Sequence, residues 1–208
     1  MSEKDMLGSG ALAEIAGPLK DFADKIGGED GERWWAGFKR FLRGEETWPR
    51  FLVWKTIKLG TGLKTANDFR KALKDNGFKL SNWADDILRK PSFAAATEET
   101  EVDLVKTTVA ELGFKSGARR GQIYERAKEL GFALCPPEVG PQLRLQYKDQ
   151  RNGEWVLVGM EPVTDSDGRP DVFDVGRYGS GLWLYGGWSY PGGVWDPGSR
   201  WVFVRPRK

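Results

Sequence analysis

A chain of 208 residues with 39 % hydrophobic and 12 % aromatic side chains has ample material for a packed core. Its 32 basic and 30 acidic groups leave a net charge of +2, which excludes the global positive field of a nucleic-acid or membrane-surface binder and makes any basic site a local one. Histidine is absent, which removes Ser-His and Cys-His nucleophile pairs, a histidine general base and histidine metal ligands.

The single cysteine, Cys135, cannot form an intrachain disulfide, and it lies between "FAL" and "PP", the setting of a small buried hydrophobe rather than a reactive thiolate. This fits a reducing cytoplasm. The opening residues match neither a signal peptide nor a membrane span, so a cytoplasmic protein without membrane contact is expected. No phosphate-binding loop, dinucleotide fingerprint or nucleophile elbow occurs. The reading is of a binding protein rather than an enzyme, with no catalytic residue, cofactor or metal ligand assigned.

In chain order, residues 1–10 are expected to be disordered, and 11–47 form an N-terminal helical segment. Leu12, Ile15, Leu19, Phe22 and Ile26 share one side of its first helix, with Pro18 kinking or splitting it. In "RWWAGFKRFLRG" the residues Trp34, Trp35, Phe38, Phe41 and Leu42 recur at helical spacing, while Lys39, Arg40 and Arg43 project elsewhere. Rings and cations on opposite sides favour an amphipathic helix over a stacking platform for nucleic acid, so Trp34, Phe38 and Phe41 are expected to be buried.

Residues 48–150 read as a mainly helical domain. It begins with a strand in "RFLVWKTIKLG", followed by helices capped by Thr65 and Ser81 and stopped at Gly77 and Pro91. Further helices are expected over 98–112, with Val102, Val105, Val109 and Leu112 as the apolar stripe, and over 119–130, with Ile123, Ala127 and Leu130 inward. Residues 151–208 switch to period two. "EWVLVGMEPV", "DVFDVGRYG", "LWLYGGWSY" and "RWVFVRP" read as four strands of an antiparallel meander. The fold class is α+β, a helical N-terminal part followed by an antiparallel C-terminal sheet.

Three constellations bear on function. "VAELGFKSGARRGQIYERAKELG" reads as a helix-turn-helix-like hairpin whose second helix offers Lys115, Arg119, Arg120, Gln122, Arg126 and Lys128 to an anion, nucleic acid being the first partner to test. The same segment also reads as an ordinary packed hairpin. "SGLWLYGGWSYPGGVWDPGSRW" sets Trp183, Tyr185, Trp188, Tyr190 and Trp195 among glycines, a surface for a protein partner or a ligand once alternation has sent some rings to the core. "TDSDGRPD" lacks the spacing of a calcium loop, so Asp165, Asp167 and Asp171 are expected in a polar hairpin turn. A carbohydrate-active protein using acidic residues is the alternative from another class.

The blocks "WKTIKLGTGLKTANDFRKALKDNGFKLSNWADDIL", "CPPEVGPQLRLQYKDQ", "EWVLVGMEPVTDSDG" and "WVFVRPRK" resemble those of a set of uncharacterised bacterial proteins, over roughly residues 48–208. The resemblance implies a bacterial source and a self-contained unit; it carries no activity, cofactor or site residue.

Overall fold

The computed structural model describes residues 9–29, 31–44, 51–179 and 181–207, which divide into two compact units, 1–50 and 51–208. In the first, α1 (Ser9–Ile26) and α2 (Gly31–Leu42) form a helical hairpin held by Phe22 against Phe38, with ring centres 4.7 Å apart. Pro18 lies inside α1 without splitting it. Ser9 and Gly10, expected to be disordered, already belong to α1; the rest of that expectation, and the inward placing of Leu12 and Ile15, lie outside the described residues. Trp34 and Phe38 are half-buried, but Phe41 is 65 % exposed, which corrects the expectation that all three would be buried. Two helices alone cover only the seam between them.

The second unit is built on one large sheet. Its strands are β1 (Lys55–Leu59), β2 (Lys79–Leu80), β3 (Thr100–Thr108), β5 (Trp155–Val158), β6 (Val163–Thr164), β7 (Pro170–Tyr178), β8 (Gly181–Trp188) and β10 (Arg200–Arg205), in the order β1-β3-β10-β5-β7-β8-β2 with β6 beside β7. A separate pair joins β4 (Ala118–Arg119) to β9 (Val194–Trp195). The helices are α3 (Ala66–Asp75), α4 (Asn82–Arg89), α5 (Arg120–Glu129) and α6 (Val139–Gln146).

The expected caps are present. Thr65 accepts a hydrogen bond from the Asp68 amide while the Asp68 carboxylate accepts one from the Thr65 amide, and Ser81 accepts one from the Ala84 amide. Gly77 takes the left-handed conformation at the end of α3 with φ +72°.

Two expectations are corrected. Residues 98–112 do not form a helix: they supply β3, so the segment before α5 is a strand and turn, and no helix-turn-helix forms there. Leu104 and Val105 are both fully buried, because β3 is paired on both edges and covered on both faces. A strand buried on both faces loses its alternation, and the apolar residues that remain then fall by chance at helical spacing.

The sheet is also mixed rather than a pure antiparallel meander. β5, β7 and β8 do run antiparallel, but β10 returns to lie between β3 and β5, antiparallel to the first and parallel to the second, and β2 pairs parallel to β8. Trp201, Val202 and Phe203 are all fully buried, as a central strand demands. Strands from both sides of residue 150 share this sheet, so that position does not divide the core.

One face of the sheet carries α4 and α6, whose close approach depends on glycines: a side chain at Gly140 would strike the Phe173 ring at 2.5 Å, and one at Gly186 would strike the Trp83 backbone at 2.9 Å. The opposite face receives Tyr124 of α5, edge-on to Trp201 and Phe203 with ring centres 5.8 and 6.0 Å away. The Tyr124 hydroxyl donates to the Met160 carbonyl at 2.7 Å. Cys135 sits in the core, where burial pushes its thiol far above the usual range. No described helix is long and apolar enough to cross a membrane.

Candidate functional site

Directly opposed residues of a sheet project to the same face, so the register of β5, β7 and β8 fixes who meets whom. Trp155 faces Gly176, which faces Trp183; Leu157 faces Asp174, which faces Tyr185; Val172 faces Gly187. The rings assemble over the glycines. Trp155 and Tyr185 are 5.0 Å apart between ring centres, Trp183 and Tyr185 are stacked at 4.9 Å, and all three are half-buried.

Gly176 is the floor of this arrangement: a Cβ there would come within 2.4 Å of the Trp155 ring. Alanine at this position is expected to push Trp155 aside and lower stability by about 1–3 kcal/mol. A thermal melt and the tryptophan emission maximum, compared with a Gly198→Ala control whose added Cβ meets nothing, measure this.

Trp155, Leu157, Asp174 and Gly187 line a cleft of about 560 Å³, closed on its other side by Trp195, Asp196, Ser199 and Arg200 from β9 and the turn into β10. Asp174 is 9 % exposed, and its Oδ1 is buried without a hydrogen-bond donor among the described residues. Burial, reinforced by the charge of Asp171, pushes its carboxyl up to about 7. A side chain at Gly187 would lie 2.8 Å from Asp174 Oδ2, so glycine keeps that oxygen uncovered. Buried carboxylates are ordinarily partnered, so an unpartnered one in a cleft makes this a candidate binding position.

A second cleft of about 630 Å³, bordered by Trp54, Lys55, Lys106, Tyr147, Asp149 and Glu154, has its buried charges paired, with Arg151 and Arg200 exposed at its rim. Lys106 pairs with Glu154 at 2.7 Å, the Tyr147 hydroxyl donates to Glu154 at 2.5 Å, and Lys55 lies 3.6 Å from Asp149.

The basic segment is dispersed. Arg120 donates to the Ser189 carbonyl and hydroxyl, Arg126 donates to the Leu112 carbonyl at 3.2 Å and pairs with Glu129 at 2.8 Å, and Gln122 accepts from the Arg119 amide at 3.0 Å. Lys115, Arg119 and Lys128 have exposed side chains. Of the aromatics singled out in the sequence, Trp183, Tyr185 and Trp195 lie on or against the Asp174 face. Trp188 projects to the opposite face, and it and Tyr190, 5.6 Å away, are exposed.

Asp165 is buried in the expected hairpin turn, its Oδ1 accepting from the amides of Asp167 at 2.9 Å and Arg169 at 2.7 Å. No group of three or more His, Cys, Asp or Glu side chains among the described residues is arranged to hold a metal ion.

Asp174 and Trp155 were not singled out in the sequence. The available signal was a carboxylate in the middle of the apolar strand "VFDV", where an acid is rarely placed unless it has a partner or a task. Comparison with protein-family models, curated proteins and solved structures finds no match.

Proposed function

We propose that the protein is a carbohydrate-binding protein whose ligand enters the cleft between the β5-β7-β8 face and the β9–β10 turn. The observation that carries this reading is Asp174 Oδ1, buried without a donor at the side of a cleft walled by Trp155 and Trp195. A sugar ring combines what such a cleft asks for: C–H faces that pack on indole rings, and hydroxyl donors that satisfy a buried carboxyl. The cleft is preferred over the basic helix because Arg120 and Arg126, two of the cations that reading needs, already bond to the protein.

The test is titration with glucose, galactose, N-acetylglucosamine and their β-linked disaccharides, followed by tryptophan fluorescence and saturation-transfer NMR. A saturable signal is expected with one of these sugars, weakened about tenfold or more by Trp155→Ala. Absence of a saturable response to every one of them overturns the reading. A titration with labelled DNA and RNA at two salt concentrations then asks whether Lys115, Arg119 and Lys128 bind phosphate instead.

A further inference from the structure

We propose that a smaller pocket on the opposite face of β7 is a second binding site, for an alkylated ammonium cation of about the size of choline. Asp171 and Asp174 are three residues apart in one strand and therefore project to opposite faces. On the Asp171 side, Trp83 of α4 and Trp188 of β8 border a space of about 230 Å³, with Gly186, Asp165 and Arg169 completing the wall. The α4 end rests directly on Gly186, which brings Trp83 to this edge of the sheet.

Three features together define the ligand. Trp83 and Trp188 are 52 % and 61 % exposed, so two large indole faces are held in water beside the pocket instead of in the core. Asp171 is only 2 % exposed, lines the same pocket, and its carboxylate receives no hydrogen bond from any described side chain or amide. Burial, with the neighbouring Asp165 charge, raises its carboxyl to about 6, which still leaves it ionised at neutral pH. Finally, the pocket already holds a cation of its own: the Arg169 guanidinium lies 6.0 Å from the centre of the Trp188 ring.

Aromatic faces attract positive charge through the ring quadrupole and offer no hydrogen-bond acceptor. Whereas a primary ammonium would turn its N–H groups to Asp171 and away from the rings, a methylated ammonium has no N–H groups to satisfy and can present methyl groups to them. The unpaired carboxylate balances its charge. Arg169, whose side chain is exposed, is displaced when the ligand enters.

The experiment titrates choline chloride at constant ionic strength, with its uncharged isostere 3,3-dimethylbutanol in parallel, and reads the indole N–H resonances of Trp83 and Trp188. Choline should shift both resonances saturably, and dimethylbutanol should bind about tenfold more weakly. Arg169→Ala removes the internal competitor and should tighten choline severalfold; Asp171→Asn should weaken it about tenfold. Trp188→Ala alters an exposed residue, leaves the fold intact, and should abolish the response, so the test survives even if the Asp171 variant fails to fold. Equal effects of choline and dimethylbutanol, or choline shifts unchanged by Trp188→Ala, overturn the proposal. These resonances are distinct from those of Trp155 and Trp195, so the outcome is independent of the sugar site.

Discussion

Asp174→Asn is expected to make the protein more stable at pH 8, by about 2–4 kcal/mol, while replacing the carboxyl group of the proposed binding cleft by an amide. The sign follows from proton linkage. In the unfolded chain this carboxyl titrates near 3.8, and in the folded protein near 7, because burial and then Asp171 disfavour its charge. Between those values the folded state keeps a proton that the unfolded state has released. The stabilisation from this group is therefore complete below about pH 4 and is lost as the pH rises through about 7. The interval between the two values corresponds to ~4 kcal/mol at most. Urea denaturation at pH 4.5 and pH 8 should show the native protein losing stability relative to the variant across this range. A variant that is no more stable than the native protein at pH 8 would mean that Asp174 has a stabilising partner in the folded chain.

Glu138→Ala has the opposite effect and a similar size. Glu138 is 1 % exposed, and its carboxylate accepts hydrogen bonds from the Gly60 amide at 2.8 Å, the Ala96 amide at 2.7 Å and the Gln142 side chain at 2.9 Å. It thereby ties the end of β1 and the segment before β3 to the start of α6. Removing it strands two backbone donors, for which a loss of about 3–5 kcal/mol is expected. The midpoint of denaturant unfolding measures the loss, and hydrogen exchange should show the Gly60 and Ala96 amides opening first. Glu138→Gln is expected to lose about 2 kcal/mol, because a neutral amide oxygen is a weaker acceptor and its NH2 group competes for the same positions.

The parts of the fold that were legible in the sequence are those decided by neighbours in the chain. Thr65 and Ser81 at helix starts, Gly77 at a helix end and the period-two runs of β5, β7 and β8 needed only a few adjacent residues to be read. What escaped was decided by distant partners. β3 is buried on both faces because it is sandwiched, and nothing local distinguishes such a strand from a buried helix; β10 was legible as a strand, but not its place between β3 and β5. α6 was missed for a related reason: Val139, Gly140, Pro141, Gln142, Leu143 and Arg144 are all buried, so its sequence has no polar face to set off an apolar one. The aromatic-rich strands of the C-terminal part were legible, yet Asp174 was not. Its significance lies in what fails to reach it, and a missing donor is a property of three-dimensional packing alone.

The position of β10 has a consequence for how the chain acquires its structure. The strand at the centre of the sheet follows its neighbours in the chain, and its partners in β3 lie about a hundred positions upstream. Until Arg200–Arg205 arrive, β3 and β5 present unpaired inner edges, so the sheet exists as two halves, β1-β3 and β5-β7-β8-β2, each able to recruit a strand from another chain. Closing them requires a long loop to be ordered before its contacts repay the entropy, so this step is expected to be the slow one. A nascent or partly unfolded chain is accordingly most prone to aggregate at the seam where the finished protein is most deeply buried.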